Sequence, residues 1–257
     1  MNFDAIVVAG GRGARLGGTD KPLLHHGGAT LLDHALRATA AAGRIAVVGP
    51  TELNPVISRY AADADAGQII TLTREYPAFA GPAAAVAAGI RALGDGAAGE
   101  VPQPGDRAPL TLILAADLIS PGPAAAAIVS YAVEHYDDAL TPAPAPPGEP
   151  ATAPTNPAEA GDTGLELAEF GRAWVPVDGQ GRLQPLSCVI ETAALLRAVE
   201  ASERPGEGLA NSSMMRLLAK VQIVRVSLDG VDYADVDTWE DADRAGIARP
   251  SPRPKGR

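Results

Sequence analysis

Ala5-Ile6-Val7-Val8-Ala9-Gly10-Gly11-Arg12-Gly13-Ala14-Arg15-Leu16-Gly17-Gly18-Thr19-Asp20-Lys21 is the stretch on which the reading of this chain turns. Ala5 to Ala9 is a short apolar run, β-branched at Ile6, Val7 and Val8, that stops at paired glycines. This pattern predicts a strand buried on both faces. The loop that follows holds five glycines between Gly10 and Gly18, with Arg12 and Arg15 inside it and Lys21 just beyond. Glycine lets backbone N–H groups approach and point at phosphate oxygens. Arginine can bridge two such oxygens, and lysine supplies a point charge. The residues alone fit either this phosphate cradle or a plain glycine-rich turn with solvated basic side chains.

Working outward, the same alternation recurs. A helix is expected from Thr30, with Asp33 three positions on giving a capping-box start, to near Gly43. Ile45 to Val48 reads as a strand closed by Gly49-Pro50, and Gln68 to Leu72 as another. Pro82 stands at a first helical position before Ala83 to Leu93. Leu110 to Ala115 is a fourth buried strand, halting at Asp117. Repeated strand and helix predict an α/β fold with a doubly wound, mostly parallel sheet in three layers. Ligands bind such sheets at the carboxyl ends of their strands, where the Gly10 loop and Asp117 can converge. Later segments predict a hairpin from Arg172–Val177 through Asp178-Gly179 to Leu183–Ile190, a strand over Val221–Val226 and a short helix over Thr238–Ala245.

Composition bounds the rest. The chain of 257 residues is long enough for one α/β domain, expected over residues 1–248. Thr141 to Gly164 is dominated by Pro and Ala without an apolar period, and reads as a disordered surface insertion. Residues 249–257 read as a basic, frayed tail. A net charge of −10 argues against nucleic acid as partner. Cys188, the single cysteine, allows neither an internal disulfide nor a cysteine-spaced zinc site. No signal-peptide pattern and no membrane-length apolar run is visible, so the expected compartment is the cytoplasm.

Spacing tests the glycine loop against its competitors. A P-loop requires glycine immediately before the lysine and Ser or Thr after it, whereas Asp20 precedes Lys21 and Pro22 follows. The dinucleotide fingerprint requires Gly or Ala where Leu16 stands and an acid after the second strand, where Gly49 stands.

The segment Val7 to Leu24 resembles the signature of the nucleotidyltransferases related to molybdenum cofactor guanylyltransferase: an apolar strand, Ala-Gly-Gly, an arginine, then Lys and Leu. Further matches follow in order. Glu75 ahead of Gly81-Pro82 resembles the family's acidic residue and Gly-Pro turn, and Leu112 to Asp117 its strand ending in a metal-binding Asp. Gln184-Pro185-Leu186-Ser187 resembles its Pro-Leu segment, and Asp235-Val236-Asp237-Thr238 its C-terminal element. The chain departs from the pattern at Gly13, Leu16, Gly49-Pro50 and Leu118-Ile119, and carries Asp235 and Asp237 in place of asparagines.

The resemblance implies a nucleotide-diphospho-sugar transferase type of fold and Mg²⁺ as cofactor. The implied reaction moves a nucleoside monophosphate from an NTP, GTP foremost, to the phosphate of a molybdopterin-type acceptor, releasing pyrophosphate. Molybdoenzyme-maturation proteins are the implied protein partners. Arg15, Lys21 and Asp117 are implied as catalytic. Ala9, Gly10, Gly11, Arg12, Gly13, Lys21, Glu75, Gly81 and Asp117 are implied to contact nucleotide, the amides after Gly81-Pro82 facing it from a helix start. Asp117 and Asp237 are the implied metal ligands, with Asp235 an alternative. Read alone, Asp117, Asp235 and Asp237 serve equally as helix caps, and Glu75 as a surface acid. His25 and His26 read as exposed, Cys188 as a buried apolar residue and Trp174 and Trp239 as packing. The alternatives are a cytidylyl- or sugar-phosphate nucleotidyltransferase and a non-catalytic nucleotide-binding module. A glycosyltransferase on a similar sheet would carry Asp-x-Asp, and Asp117-Leu118-Ile119 lacks the second acid.

Overall fold

The computed structural model describes residues 1–11, 13–64, 68–94, 107–138, 170–203 and 209–249. Arg12, the Thr141–Gly164 insertion and the tail beyond Arg249 lie outside the described residues.

Seven strands form one sheet. Within it β1 (Phe3–Val8) is flanked by β4 (Arg44–Val48) and β6 (Leu110–Ala115), both parallel to it. β5 (Ile69–Thr73) extends the β4 side in parallel. On the other side come β8 (Ser187–Glu191), antiparallel to β6, then β7 (Arg172–Val177), and at the edge β9 (Gln222–Ser227), parallel to β7. The short β2 (His25–His26) and β3 (Ala29–Thr30) form a separate hairpin. The sheet is mostly parallel, as the alternating sequence predicts.

Strand alternation sends side chains to two cores, because successive residues point to opposite faces. Ile6, Val48, Ile113, Cys188 and Ile190 pack with α3 (Pro82–Ala92), α5 (Thr192–Ser202) and α6 (Met214–Leu218). Ala5, Val7, Val47, Leu112, Leu114 and Trp174 pack on the other face with α1 (Leu31–Ala38), α2 (Asn54–Asp63) and α4 (Pro121–Glu134). This makes the three layers. Each large side chain so buried contributes about 1.5–3 kcal/mol. Gly89 lets α3 lie close on the sheet: a Cβ there would meet Ile6 Cγ2 at 2.5 Å. A third, smaller cluster of Leu16, Leu24, Leu31, Val236, Ala242 and Ile247 sits apart and fastens α7 (Trp239–Arg244) to the glycine loop.

Local chemistry sets the boundaries. Thr30 and Asp33 form the expected capping box, with Asp33 N donating to Thr30 Oγ1 at 3.1 Å and Thr30 N to Asp33 Oδ2 at 2.9 Å. The helix ends at Ala38 rather than near Gly43. Thr39 Oγ1 donates to Leu36 O at 2.9 Å and the chain tightens into a turn, Ala42 N reaching Thr39 O. The expected hairpin forms, but its return strand is shorter than Leu183–Ile190. Pro185 cannot donate to a ladder, so Leu183 only bridges Val177 and regular pairing starts at Ser187.

Candidate active site

Three parallel strands, β4, β1 and β6, end side by side, and the chain leaving each builds one wall of an open cleft of about 530 Å³. Ala9, Gly10, Gly11, Lys21, Pro50 and Asp117 are among its lining residues. Ala9 N donates to Val48 O at 2.8 Å, which continues the β1–β4 ladder one residue into the loop. Gly13 then reverses the chain with φ of 51°, and a Cβ there would stand 2.3 Å from the Thr19 carbonyl oxygen. That contact is with backbone, so only glycine fits. The loop closes on a short 3-10 turn, Ala14–Leu16, and a second, Lys21–Leu23, turns Lys21 into the cleft.

Asp117 follows β6, held by Ala116 N donating to Val8 O at 3.0 Å. A distant segment is laid antiparallel against it. Leu118 bridges Asp235, Ile119 N donates to Ala234 O at 3.0 Å, and Val236 N to Asp117 O at 3.1 Å. Val236 is fully buried in the small third cluster, and alternation turns its neighbours Asp235 and Asp237 the other way. The carboxylate oxygens of Asp117, Asp235 and Asp237 lie within 4.8 Å of one another. None of the three caps a helix: α4 is entered from Ser120, and α7 from a Thr238–Asp241 capping box.

Lys21 joins this group. Its Nζ lies 3.3 Å from Asp117 Oδ2 and donates to Asp237 Oδ1, while Arg15 Nη1 lies 3.5 Å from Asp237 Oδ2. Burial alone would lower the lysine's pKa, but the hydrogen bonds and charges of Asp237 and Asp117 carry it above its ordinary value. Lys21 is therefore an ammonium at neutral pH. Asp235 shifts the other way. Burial, and then the like charges of Asp117 and Asp237, push its carboxyl above the usual range. Three carboxylates against one ammonium and one largely exposed guanidinium leave negative charge uncompensated. Hard oxygen donors at this spacing suit a divalent cation such as Mg²⁺. Lys21 Nζ stands between two of these carboxylates.

The remaining expected residues are placed unevenly. Glu75 is a buried acid, not a surface one: Phe79 N donates to its Oε1 at 2.8 Å, and its Oε2 has no partner among the described residues. A Cβ on Gly10 would lie 3.8–3.9 Å from both Glu75 oxygens, so this carboxylate stands directly behind the glycine loop. Gly81, by contrast, faces Asn211 and Ser212, and the Ala83 amide of α3 is taken by Ser212 O at 3.3 Å. The helix start thus packs on its neighbour, and Gly81 is not among the residues lining the cleft. His25 is exposed and His26 bonds Ala245 O through Nδ1, both away from that lining. Cys188 and Trp174 are buried as expected. Val236, whose burial orients the two acids, carries no polar group. Its one signal is a lone apolar position between two acids.

This arrangement, a glycine cradle and an acidic cluster at the carboxyl edge of a mixed sheet, defines the nucleotide-diphospho-sugar transferase-like fold. Solved structures bear this out. The molybdopterin-guanine dinucleotide biosynthesis protein A from Archaeoglobus fulgidus matches with a TM-score of 0.56 at 14% identity, over 94% of this chain and 96% of that one. The 4-diphosphocytidyl-2C-methyl-D-erythritol synthase from Anaerococcus prevotii matches with 0.52 at 13%, over 95% and 94%. UDP-glucose pyrophosphorylase from Acinetobacter baumannii matches with 0.53 at 10%, over 95% and 92%. No curated protein matches the sequence. The family model of the MobA-like NTP transferase domain matches residues 5–223, and the chain belongs to that family of nucleotidyltransferases. Among the described residues no helix is long and apolar enough to cross a membrane.

Proposed function

We propose that this chain transfers GMP from GTP to the phosphate of a molybdopterin-type acceptor, releasing pyrophosphate. The observation that carries this reading is the Asp117, Asp235 and Asp237 cluster, closed by Lys21 and placed at the mouth of the glycine cradle. Two phosphates must meet there, and the barrier is chiefly electrostatic. An acceptor phosphate oxygen forms a bond to the α-phosphorus as the bond to the β-phosphate oxygen breaks, and pyrophosphate leaves with the electron pair. The amides of Gly10, Gly11 and Gly13 grip the β- and γ-phosphates. Arg15 and Lys21 neutralise the charge that builds on the leaving group. Asp117 and Asp237, with Asp235 beside them, would hold a Mg²⁺ ion, which when bound neutralises the two reacting phosphates. Glu75, buried behind Gly10 with its Oε2 unpartnered among the described residues, is the acid that would accept from a base N–H, which guanine and cytosine both carry.

The test mixes purified chain, Mg²⁺ and molybdopterin with GTP or CTP in parallel, and follows pyrophosphate and the dinucleotide formed. GTP is expected to give product, and Lys21→Ala and Asp117→Ala to abolish it while circular dichroism stays unchanged. Near-normal turnover in either variant overturns the site, and product with CTP alone overturns the base.

A further inference from the structure

The His25-His26 pair takes no part in the chemistry above, yet the His26 ring is committed. Its Nδ1 donates to Ala245 O at 3.0 Å, and Ala245 is the residue that closes α7. A carbonyl only accepts, so this bond fixes the neutral ring with its proton on Nδ1. The ring is also held from behind. His26 pairs with Ala29 across Gly27 and Gly28, whose φ values of 58° and 85° suit a tight two-residue hairpin turn. His34 Nε2, on α1, donates to His26 O at 2.9 Å.

α7 needs such a hold, because six residues are too few for a helix to persist alone. Its last turn satisfies two carbonyls internally. Gly246 N donates to Asp243 O at 3.1 Å, and Ile247 N to Ala242 O at 2.8 Å. The Ala245 carbonyl is left over, and His26 takes it. At the other end Lys21 Nζ bonds Asp237, one residue before the Thr238 cap. The stretch from Lys21 to His26 thus grips α7 at both ends, while Leu24 packs in the third cluster with Val236, Ala242 and Ile247.

The reaction makes different demands on the two grips. Lys21 is claimed by the phosphates of the nucleotide, and Asp237 by a divalent ion, so the ion pair between them loosens as the site fills. His26 is not among the residues lining the cleft, and its grip is left untouched. We infer that His26 is a positioning residue: it keeps α7, and with it Asp235 and Asp237, against Asp117 while Lys21 changes partners. The inference rests on the transferase reading above and adds the residue that keeps the acidic cluster assembled.

Three measurements on the full chain test it. His26→Leu keeps apolar bulk and loses the donor, whereas His26→Asn carries an N–H close to the place of Nδ1. The Val236 and Ile119 amides bond Asp117 O and Ala234 O, and so report how firmly the segment lies on Asp117. Without metal, His26→Leu should speed their hydrogen exchange about five-fold and leave the Ile6 and Ile113 amides unchanged. Mn²⁺ affinity should fall about five-fold, and further in Lys21→Met, where the other grip is already gone. His26→Asn should bring both readouts to within about two-fold of the parent. Equal acceleration at all four amides marks a merely structural role and overturns the inference. So does indifference of exchange and Mn²⁺ affinity to His26→Leu, or His26→Asn behaving as His26→Leu. Should the variants not fold, nitrogen-15 spectra of the unaltered chain decide. A neutral His26 ring protonated on Nδ1 supports the grip, and one protonated on Nε2 overturns it. A parent chain that binds no Mn²⁺ overturns the metal reading of the cluster instead, and exchange and tautomer still decide His26.

Discussion

Replacing Lys21 with Met separates the lysine's two relations, to nucleotide and to metal, because the ammonium occupies the carboxylates a divalent ion would use. Met keeps the apolar stem, so the fold should hold. What changes is charge. A unit charge about 4 Å from a divalent ion in bulk-water dielectric contributes about 2 kcal/mol of repulsion. Screening at about 0.1 M salt trims this toward ~1.4 kcal/mol. Lys21 keeps only 19% and Asp117 28% of their side-chain surfaces exposed, so this high-dielectric figure is a lower bound. Removing the ammonium should therefore raise affinity for Mn²⁺ at least about ten-fold. Nucleotide affinity should fall, since the triphosphate loses a cation. Mn²⁺ binding is read by the decrease of its free electron paramagnetic resonance signal, and GTP binding by calorimetry without metal. An unchanged or weaker Mn²⁺ affinity in Lys21→Met refutes the idea that ammonium and metal share these carboxylates. An unchanged GTP affinity refutes the lysine as a phosphate contact.

Three further outcomes follow from the geometry. Gly13→Ala places a Cβ against the Thr19 carbonyl in a left-handed conformation costing about 1–2 kcal/mol. The cost falls on a surface loop, so Tm should drop by about 2–8 °C while GTP affinity falls at least about ten-fold, and intact GTP binding would count against the cradle. Asp33→Ala removes the return half of the α1 capping box, the carboxylate that accepts from Thr30 N at 2.9 Å and Thr30 Oγ1 at 2.6 Å and that Arg59 Nη2 reaches at 2.8 Å, and should cost about 2 kcal/mol by urea denaturation. Burial opposes ionisation of Asp33, yet Thr30 and Arg59 hold its pKa below the ordinary carboxylate value. Its contribution is therefore present above about pH 4 and lost as pH falls through the lower folded value, so parent and variant should converge in stability only in acid. Burial pushes the Cys188 thiol up to about 12, so a thiol reagent at pH 8 should label it only on unfolding, and rapid labelling of folded chain would contradict its placement.

The central sheet was legible because β1, β4 and β6 are short branched runs whose ends carry glycine or aspartate. α2 was not. It opens on Asn54-Pro55 and buries only Val56 and Ile57, too few apolar positions to show a helical period. Lys21 and Asp117 were legible through motif order, while Glu75 was ambiguous because its burial depends on how the chain doubles back to Phe79. Asp235 and Asp237 both lie beside Asp117. A bridge to Leu118 and the buried Val236 bring both to Asp117, and neither the bridge nor the third core can be read from local spacing.

That bridge has a consequence for the order in which competence is gained during synthesis. The family match ends at residue 223, and by then every strand of the sheet except β9, barely begun, has been made. Yet two of the three clustered carboxylates are still to come, on the segment that folds back across Leu118. A nascent chain arrested there would lack two of the three carboxylates and also the Val236, Ala242 and Ile247 packing that covers Leu16 of the glycine loop. Proteolytic loss of the residues beyond β9 should act in the same way, removing Asp235 and Asp237 and uncovering the glycine loop in one cut.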